Sequence, residues 1–198
     1  MFVKLAIFLL AFSETIDKES LRFAYSAEQG YDSSCGLTTL TCLMDRFWGV
    51  PADETALAKE FLADKWATGD LTVTFAELAR ILEAKGFAWK AYKMNFGQLE
   101  AATASYAPVI VHYDRPEGHF ALVLSLDNGA ITISDPAEGT IALEQARFES
   151  RWSGAVLVAV HPKGGLNETL LDQASRNVYG RKMLLERAAR RGAGFSSP

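Results

Sequence analysis

The hydrophobic period changes at Gly86, and few folds accommodate such a change. Before it, Leu37, Leu40, Met44 and Phe47 recur at helical spacing, which predicts a helix over Cys35–Trp48 stopped by Gly49 and Pro51. A second helix is predicted from Asp53 to Ala63, and Thr74-Phe75-Ala76-Glu77 is a capping-box pattern opening a third that Gly86 closes. After Gly86 the chain reads as strands: Phe87–Met94, Ala107–Tyr113, His119–Leu126, Ala130–Asp135, Thr140–Leu143 and Ala155–Val160. Short helices interrupt them, one capped by Asn95 and one near Glu144–Arg151. Asp127-Asn128-Gly129 supplies the positive φ that a tight hairpin needs, so the strands on either side are antiparallel neighbours. The fold class is α+β, a helical lobe followed by an antiparallel sheet.

The 198 residues, 49% of them hydrophobic, suffice for one well-buried core. A net charge of -4 leaves no basic footprint for phosphates, which excludes nucleic acid as a partner. Charge is unevenly spread, with seven Lys and Arg against three acidic residues from Lys163 to the end, a net +4 that leaves -8 elsewhere. This stretch reads as an appended basic helix, with Leu166, Leu170, Leu171, Ala174, Val178, Leu184, Leu185 and Ala188 as an intermittent apolar face interrupted at Gly180. At the other end, Met1-Phe2-Val3-Lys4 and the apolar run from Leu5 to Phe12 are too brief to span a bilayer and read as a secretory signal or membrane tether, with a small-x-small site at Ala11-Phe12-Ser13. Three segments result: 1–13 as signal or tether, 20–162 as the main globular domain, 163–198 as the helical extension. The expected location is outside the cytoplasm, periplasmic or membrane-tethered.

Two cysteines, seven residues apart on one helix, are about 10 Å apart along its axis and cannot pair. Cys42 reads as a small core residue. Cys35 is different, because a thiol at a helix N-terminus meets unpaired N–H groups that favour the thiolate. A thioester route to amide hydrolysis needs a thiolate, a base that later protonates the leaving amine, a group that holds the base, and oxyanion donors. Cys35, His119, Asp135 and the Gln29 amide with the Cys35 N–H are the candidates, and Gly36 is expected to leave room for a substrate backbone. His119 lies nine residues before Asn128 and Asp135 seven after it, so both fall near the open end of the hairpin and become near neighbours if the register is offset or bulged. His112 and His161 read as core or edge histidines without zinc-site spacing, and neither metal nor cofactor is expected.

Gln29-Gly30-Tyr31-Asp32-Ser33-Ser34-Cys35-Gly36, Ala107-Pro108-Val109-Ile110 leading to His119-Phe120-Ala121-Leu122-Val123, and Ile133-Ser134-Asp135-Pro136-Ala137-Glu138-Gly139 together resemble the C39 peptidases. These are papain-like cysteine proteases known for processing bacteriocin leaders after a double glycine, and the similarity runs from about Phe23 to Pro162. The resemblance implies that Cys35, His119, Asp135 and Gln29 are nucleophile, base, orienting aspartate and oxyanion donor. It further implies an extended peptide or protein substrate, in the manner of the stand-alone members without ABC transporter modules. Some of those are exported and serve dedicated secretion systems, and the basic tail is expected to dock on the enzyme's own acidic surface, on anionic lipid or on a secretion partner. The chain departs from many relatives in carrying Leu37, Thr38 and Thr39 after the Cys-Gly pair. Two other activities fit the same residues, an acyl or peptidyl transferase and a binding module that holds a peptide without cutting it.

Overall fold

Ser34 opens the first helix, α1 (Cys35–Thr41), in an unusual way: its hydroxyl turns back to the Tyr31 carbonyl, 2.8 Å away, instead of capping the helix. In this computed structural model, which describes residues 21–114, 116–127 and 129–193, the helix then widens. The expected single α-helix to Trp48 is α only as far as Thr41, and Cys42–Phe47 is a π turn in which the Trp48 N–H reaches Leu43 O. The wider turn lets Leu43, Met44, Phe47 and Trp48 all enter the core.

Helix α2 (Glu54–Phe61) is capped by Asp53, whose carboxylate accepts from Ala56 N at 2.8 Å. The expected continuation to Ala63 fails at Leu62, which leaves helical geometry and is buried, and a separate helix α3 (Ala63–Thr68) follows. Its end at Gly69 has a positive φ of 78°. In α4 (Phe75–Ala84) both bonds of the Thr74–Glu77 capping box form.

Beyond Gly86 come β1 (Ala88–Lys93), α5 (Phe96–Tyr106), β2 (Val109–Tyr113), β3 (His119–Asp127), β4 (Ala130–Asp135), β5 (Gly139–Glu144), α6 (Gln145–Glu149) and β6 (Trp152–Val160). They form a six-stranded antiparallel sheet in the order β1-β6-β2-β3-β4-β5. Period-two alternation divides its apolar residues between two cores. Ile110, Phe120, Leu122 and Leu157 join the helical lobe, whereas Val111, Ala121, Val123 and Ile133 surround Leu99 of α5 and Phe148 of α6. At the hairpin tip Asp127 pairs with Ala130 and Gly129 has a φ of 74°. Asn128, the N-terminal segment read as a signal or tether, and residues 194–198 lie outside the described residues. Among the described residues no helix is long and apolar enough to cross a membrane.

The C-terminal stretch corrects one expectation. Helix α7 (Glu168–Ala193) runs through Gly180 without interruption, and its first half is docked, not appended. Ala174 and Val178 are buried, Asn167 N donates to Phe47 O at 2.7 Å, and Leu170 and Leu171 pack on the helical core, while Leu184 is 66% exposed. Removing residues from Glu168 onward therefore exposes core apolar surface, at a cost on the order of 3 kcal/mol. Thermal unfolding of the truncated protein should show a clearly lower midpoint than the full chain, and an unchanged midpoint would contradict the docking.

Candidate active site

His119 begins β3 and Asp135 ends β4, and one irregularity in their pairing sets how they meet. Near the tip Ser125 pairs with Thr132, but toward the open end Val123 pairs with Ile133, so β3 carries one extra residue, Leu124. Beyond this bulge Leu122 pairs with Ser134, which brings Ala121 opposite Asp135. His119 shares a face with Ala121 and therefore with Asp135. Continued without the bulge, the pairing would place Leu122 opposite Asp135 and His119 on the other face. Asp135 Oδ2 lies 3.0 Å from His119 Nε2, and Oδ1 accepts the N–H groups of Ala137 (2.8 Å) and Glu138 (3.0 Å). The Tyr113 ring stacks on the imidazole, 6.1 Å between centroids and 9° from parallel, and Arg151 lies 5.0 Å from the same phenol ring.

With Nε2 held by Asp135, Nδ1 is the imidazole nitrogen left to interact with Cys35, which stands half-buried at the start of α1. Burial opposes ionisation of the thiol, yet hydrogen bonding to His119 and to the Phe120 backbone, with the charge of His119, brings it below its ordinary value. Burial would also push the imidazole down, but hydrogen bonds to Asp135 and Cys35 and the negative charge of both raise it to about 9. Asp135 is buried, which disfavours its charge, but His119 and the two backbone donors hold its carboxyl below the usual range. The three groups thus favour a thiolate, an imidazolium and a carboxylate in a row.

Gln29 lies in the same cleft, an open space of about 400 Å³ that also holds Cys35, His119 and Asp135. Its Nε2 is 3.3 Å from Tyr31 O and 3.4 Å from Asp32 O, in the turn that leads into Cys35, and its Oε1 is buried without a partner among the described residues. Cys42 is buried, its thiol pushed up by that burial, 3.5 Å from Ser134 Oγ. No group of three or more His, Cys, Asp or Glu side chains among the described residues is arranged to hold a metal ion.

Gly36 corrects another expectation. A Cβ there would collide with Val73 and lie 3.1 Å from Phe120, so the residue is small in order to let α1 meet its neighbours, not to admit substrate. Gly36→Ala is expected to destabilise the fold by about 1–3 kcal/mol through overpacking. The urea midpoint reports this, and adding Val73→Ala should restore part of the loss; a wild-type midpoint for Gly36→Ala alone would refute the close contact.

Sequence reasoning passed over His112 as a core or edge residue, yet it lines the cleft. Its ring lies against Phe75 and Phe120 and its Nδ1 is 3.3 Å from Ser153 Oγ. Only its alternation with Tyr113 along β2, which puts the two on opposite faces beside His119, could have signalled this. His161, by contrast, packs on Phe87 away from the cleft.

A helical lobe and an antiparallel sheet that meet at a cleft holding a cysteine, a histidine and an aspartate is the arrangement of papain-like cysteine peptidases. The chain belongs to the peptidase C39 family, whose sequence model matches residues 24–164. Over 142 residues it is 28% identical to the probable functional amyloid protease FapD of Pseudomonas aeruginosa, an alignment covering 70% of this chain and 62% of that protein. The chain thus spans less than two thirds of that relative's length. Among solved structures, the peptidase domain of Streptococcus ComA, a bifunctional ABC transporter involved in a quorum sensing pathway, shares the fold with a TM-score of 0.59 and 19% identity over 68% of this chain and 96% of that one. A double glycine motif protease from an AMS/PCAT transporter, solved in complex with the leader peptide, has a TM-score of 0.56 and 17% identity, covering 68% of this chain and 89% of that one.

Proposed function

We propose that the protein is a cysteine endopeptidase that hydrolyses one bond in a leader or secreted partner protein, and that Cys35, His119, Asp135 and Gln29 carry the reaction. The observation that carries this reading is the single line of groups in an open cleft, Asp135 Oδ2 on His119 Nε2 at 3.0 Å and the same imidazole on the Cys35 thiol.

An extended peptide lies across Cys35. The thiolate attacks the scissile carbonyl carbon, and the electron pair moves to oxygen. The Cys35 N–H and the Gln29 amide take the oxyanion, the amide exchanging one of its contacts to Tyr31 O and Asp32 O for it. Collapse expels the amine, which takes the proton from His119 Nδ1, and a thioester remains. Water then attacks the thioester as Nδ1 accepts its proton, and the acid leaves with the thiolate restored. Asp135 stays ionised throughout and holds the imidazole.

The substrate class follows by analogy with the relatives. One is named as a functional amyloid protease and another binds a leader peptide, which supports a secreted or leader-bearing substrate cut after a Gly-Gly site. The signal-like N-terminus supports a place of action outside the cytoplasm, and the basic sequence of the second half of α7, with the exposed Leu184, supports contact with a secretion partner. The test is to incubate the purified protein with a pool of extended peptides, Gly-Gly sequences among them, and read the products by mass spectrometry. New termini formed by the wild type and absent with Cys35→Ala are expected. A thioester resolved only onto added amines would mark a transferase, and binding without products would refute hydrolysis.

A further inference from the structure

The turn that carries Asp135 is gripped by the chain segment just before Gln29. The Ser26 hydroxyl donates to Asp135 O (2.9 Å), Gln29 N–H to Pro136 O (3.1 Å), and the Arg22 guanidinium to Ala137 O (2.5 Å, through Nη2) and Glu138 O (2.9 Å, through Nε). Four successive carbonyls are therefore held. The segment is itself anchored on its other side, where Arg46 of the π turn donates to Phe23 O (3.1 Å) and Ala24 O (3.0 Å). Gly139, with a φ of 80°, closes the turn, and a Cβ there would meet the Arg22 backbone and side chain at 2.5 Å. The turn is shaped to admit this arginine.

The covalent linkage of these contacts gives them a second meaning. Ala137 C=O and Glu138 N–H are two ends of one peptide unit. Arg22 holds the carbonyl end, and the N–H end donates to Asp135 Oδ1 at 3.0 Å. Pro136 C=O and Ala137 N–H form the preceding unit, held by Gln29 N–H and donating to the same Oδ1 at 2.8 Å. Both donors to Oδ1 are thus fixed from behind, and hydrogen bonds in such chains polarise and strengthen one another. Ser26 differs, since the unit it holds ends on the nitrogen of Pro136, which has no hydrogen to pass on.

We infer that Arg22 is a positioning residue for Asp135, acting through the 137–138 peptide unit so that Oδ1 is pinned and Oδ2 stays aimed at His119. The inference rests on the reading of Cys35, His119 and Asp135 given above. Without Arg22 the Ala137 carbonyl can turn to water, the Glu138 N–H leaves Oδ1, and the carboxylate rotates away from the imidazole. Arg22 is exposed, so its direct charge effect is screened by solvent, and the geometric effect on the carboxylate dominates.

The pH dependence of Cys35 alkylation by iodoacetamide, followed on the full chain by mass spectrometry, reads the thiolate without a substrate. The charged and titratable groups around the pair are Asp32, His112, Tyr113, Glu117, Asp135, Glu138 and Arg151, and all stay in place in the variants used. Arg22→Gln should move thiolate formation to higher pH, so that labelling near pH 6 falls about tenfold while the rate near pH 10 is unchanged. Arg22→Lys should fall between the two, and millimolar guanidinium should restore part of the loss in Arg22→Gln. Ser26→Ala, which loosens the same segment without touching the peptide relay, should keep the wild-type profile. A wild-type profile for Arg22→Gln, or an equal shift in Ser26→Ala, overturns the inference. Failure of the underlying site would look different: the wild type itself would lack a low-pH labelling phase that His119→Ala removes.

Discussion

Cys35→Ala leaves a folded protein that cuts nothing. The side chain is only half-buried and one sulfur is lost, so the unfolding midpoint should stay near that of the wild type. Turnover should fall on the order of 10⁵-fold or more, as expected when a covalent nucleophile is removed. Cys42→Ala should behave in the opposite way. Cys42 is buried against Ser134 with its thiol pushed up, so its loss affects packing and leaves peptide cleavage largely intact. Native protein treated with iodoacetamide should accordingly carry the label on Cys35. Faster labelling of Cys42, or full activity in Cys35→Ala, would remove Cys35 from the chemistry.

The second large effect is expected at Asp135. An asparagine there can offer an N–H to His119 Nε2, which must then accept, and this transfers the ring proton to Nδ1, where the thiol needs an acceptor. Asp135→Asn should therefore lower kcat by about 10²- to 10⁴-fold with little change in KM. The pH profile moves in a definite direction. In the wild type the rate rises on the acid side as the thiol ionises and falls as pH passes through about 9, where the imidazolium loses its proton. Burial alone lowers the imidazole, and Asp135 supplies both a hydrogen bond and a charge that raise it. Removing that charge moves the basic limb to lower pH. A basic limb that stays near pH 9 in Asp135→Asn, with kcat unchanged, would show that the imidazole is held by something else.

Local signals in the chain foretold the elements well. The Thr74–Glu77 box, the Asn95 cap and the Asn-Gly hairpin are each complete within four residues, and their geometry is settled by neighbours in sequence. The proximity of His119 and Asp135 was also legible, since a hairpin turn fixes who faces whom to within a bulge. What was hidden depends on contacts distant in sequence. Gly36 is small because Val73 crowds it, Leu62 breaks a helical pattern because the core takes it, and α7 docks because Ala174 and Val178 find an apolar face built by the rest of the fold. His112 was hidden for the same reason, because a histidine within a Val-rich strand looks like any other edge residue until Phe75, Phe120 and Ser153 surround it.

The extra residue in β3 has a consequence for how the hairpin tolerates change. Between Leu124 and the tip the strands keep one register, and between Leu124 and the cleft they keep another. The two halves are therefore offset by one residue, and the cleft half keeps its pairing as long as the tip half keeps its own. Removing Leu124 would join Val123 to Ser125 and keep both sets of partners in register, but at the cost of a buried side chain of the helical-lobe core. The tip between Asp127 and Ala130 lies on the far side of Leu124, and it is the natural point of insertion for a fluorescent reporter or an affinity tag that leaves the cleft undisturbed.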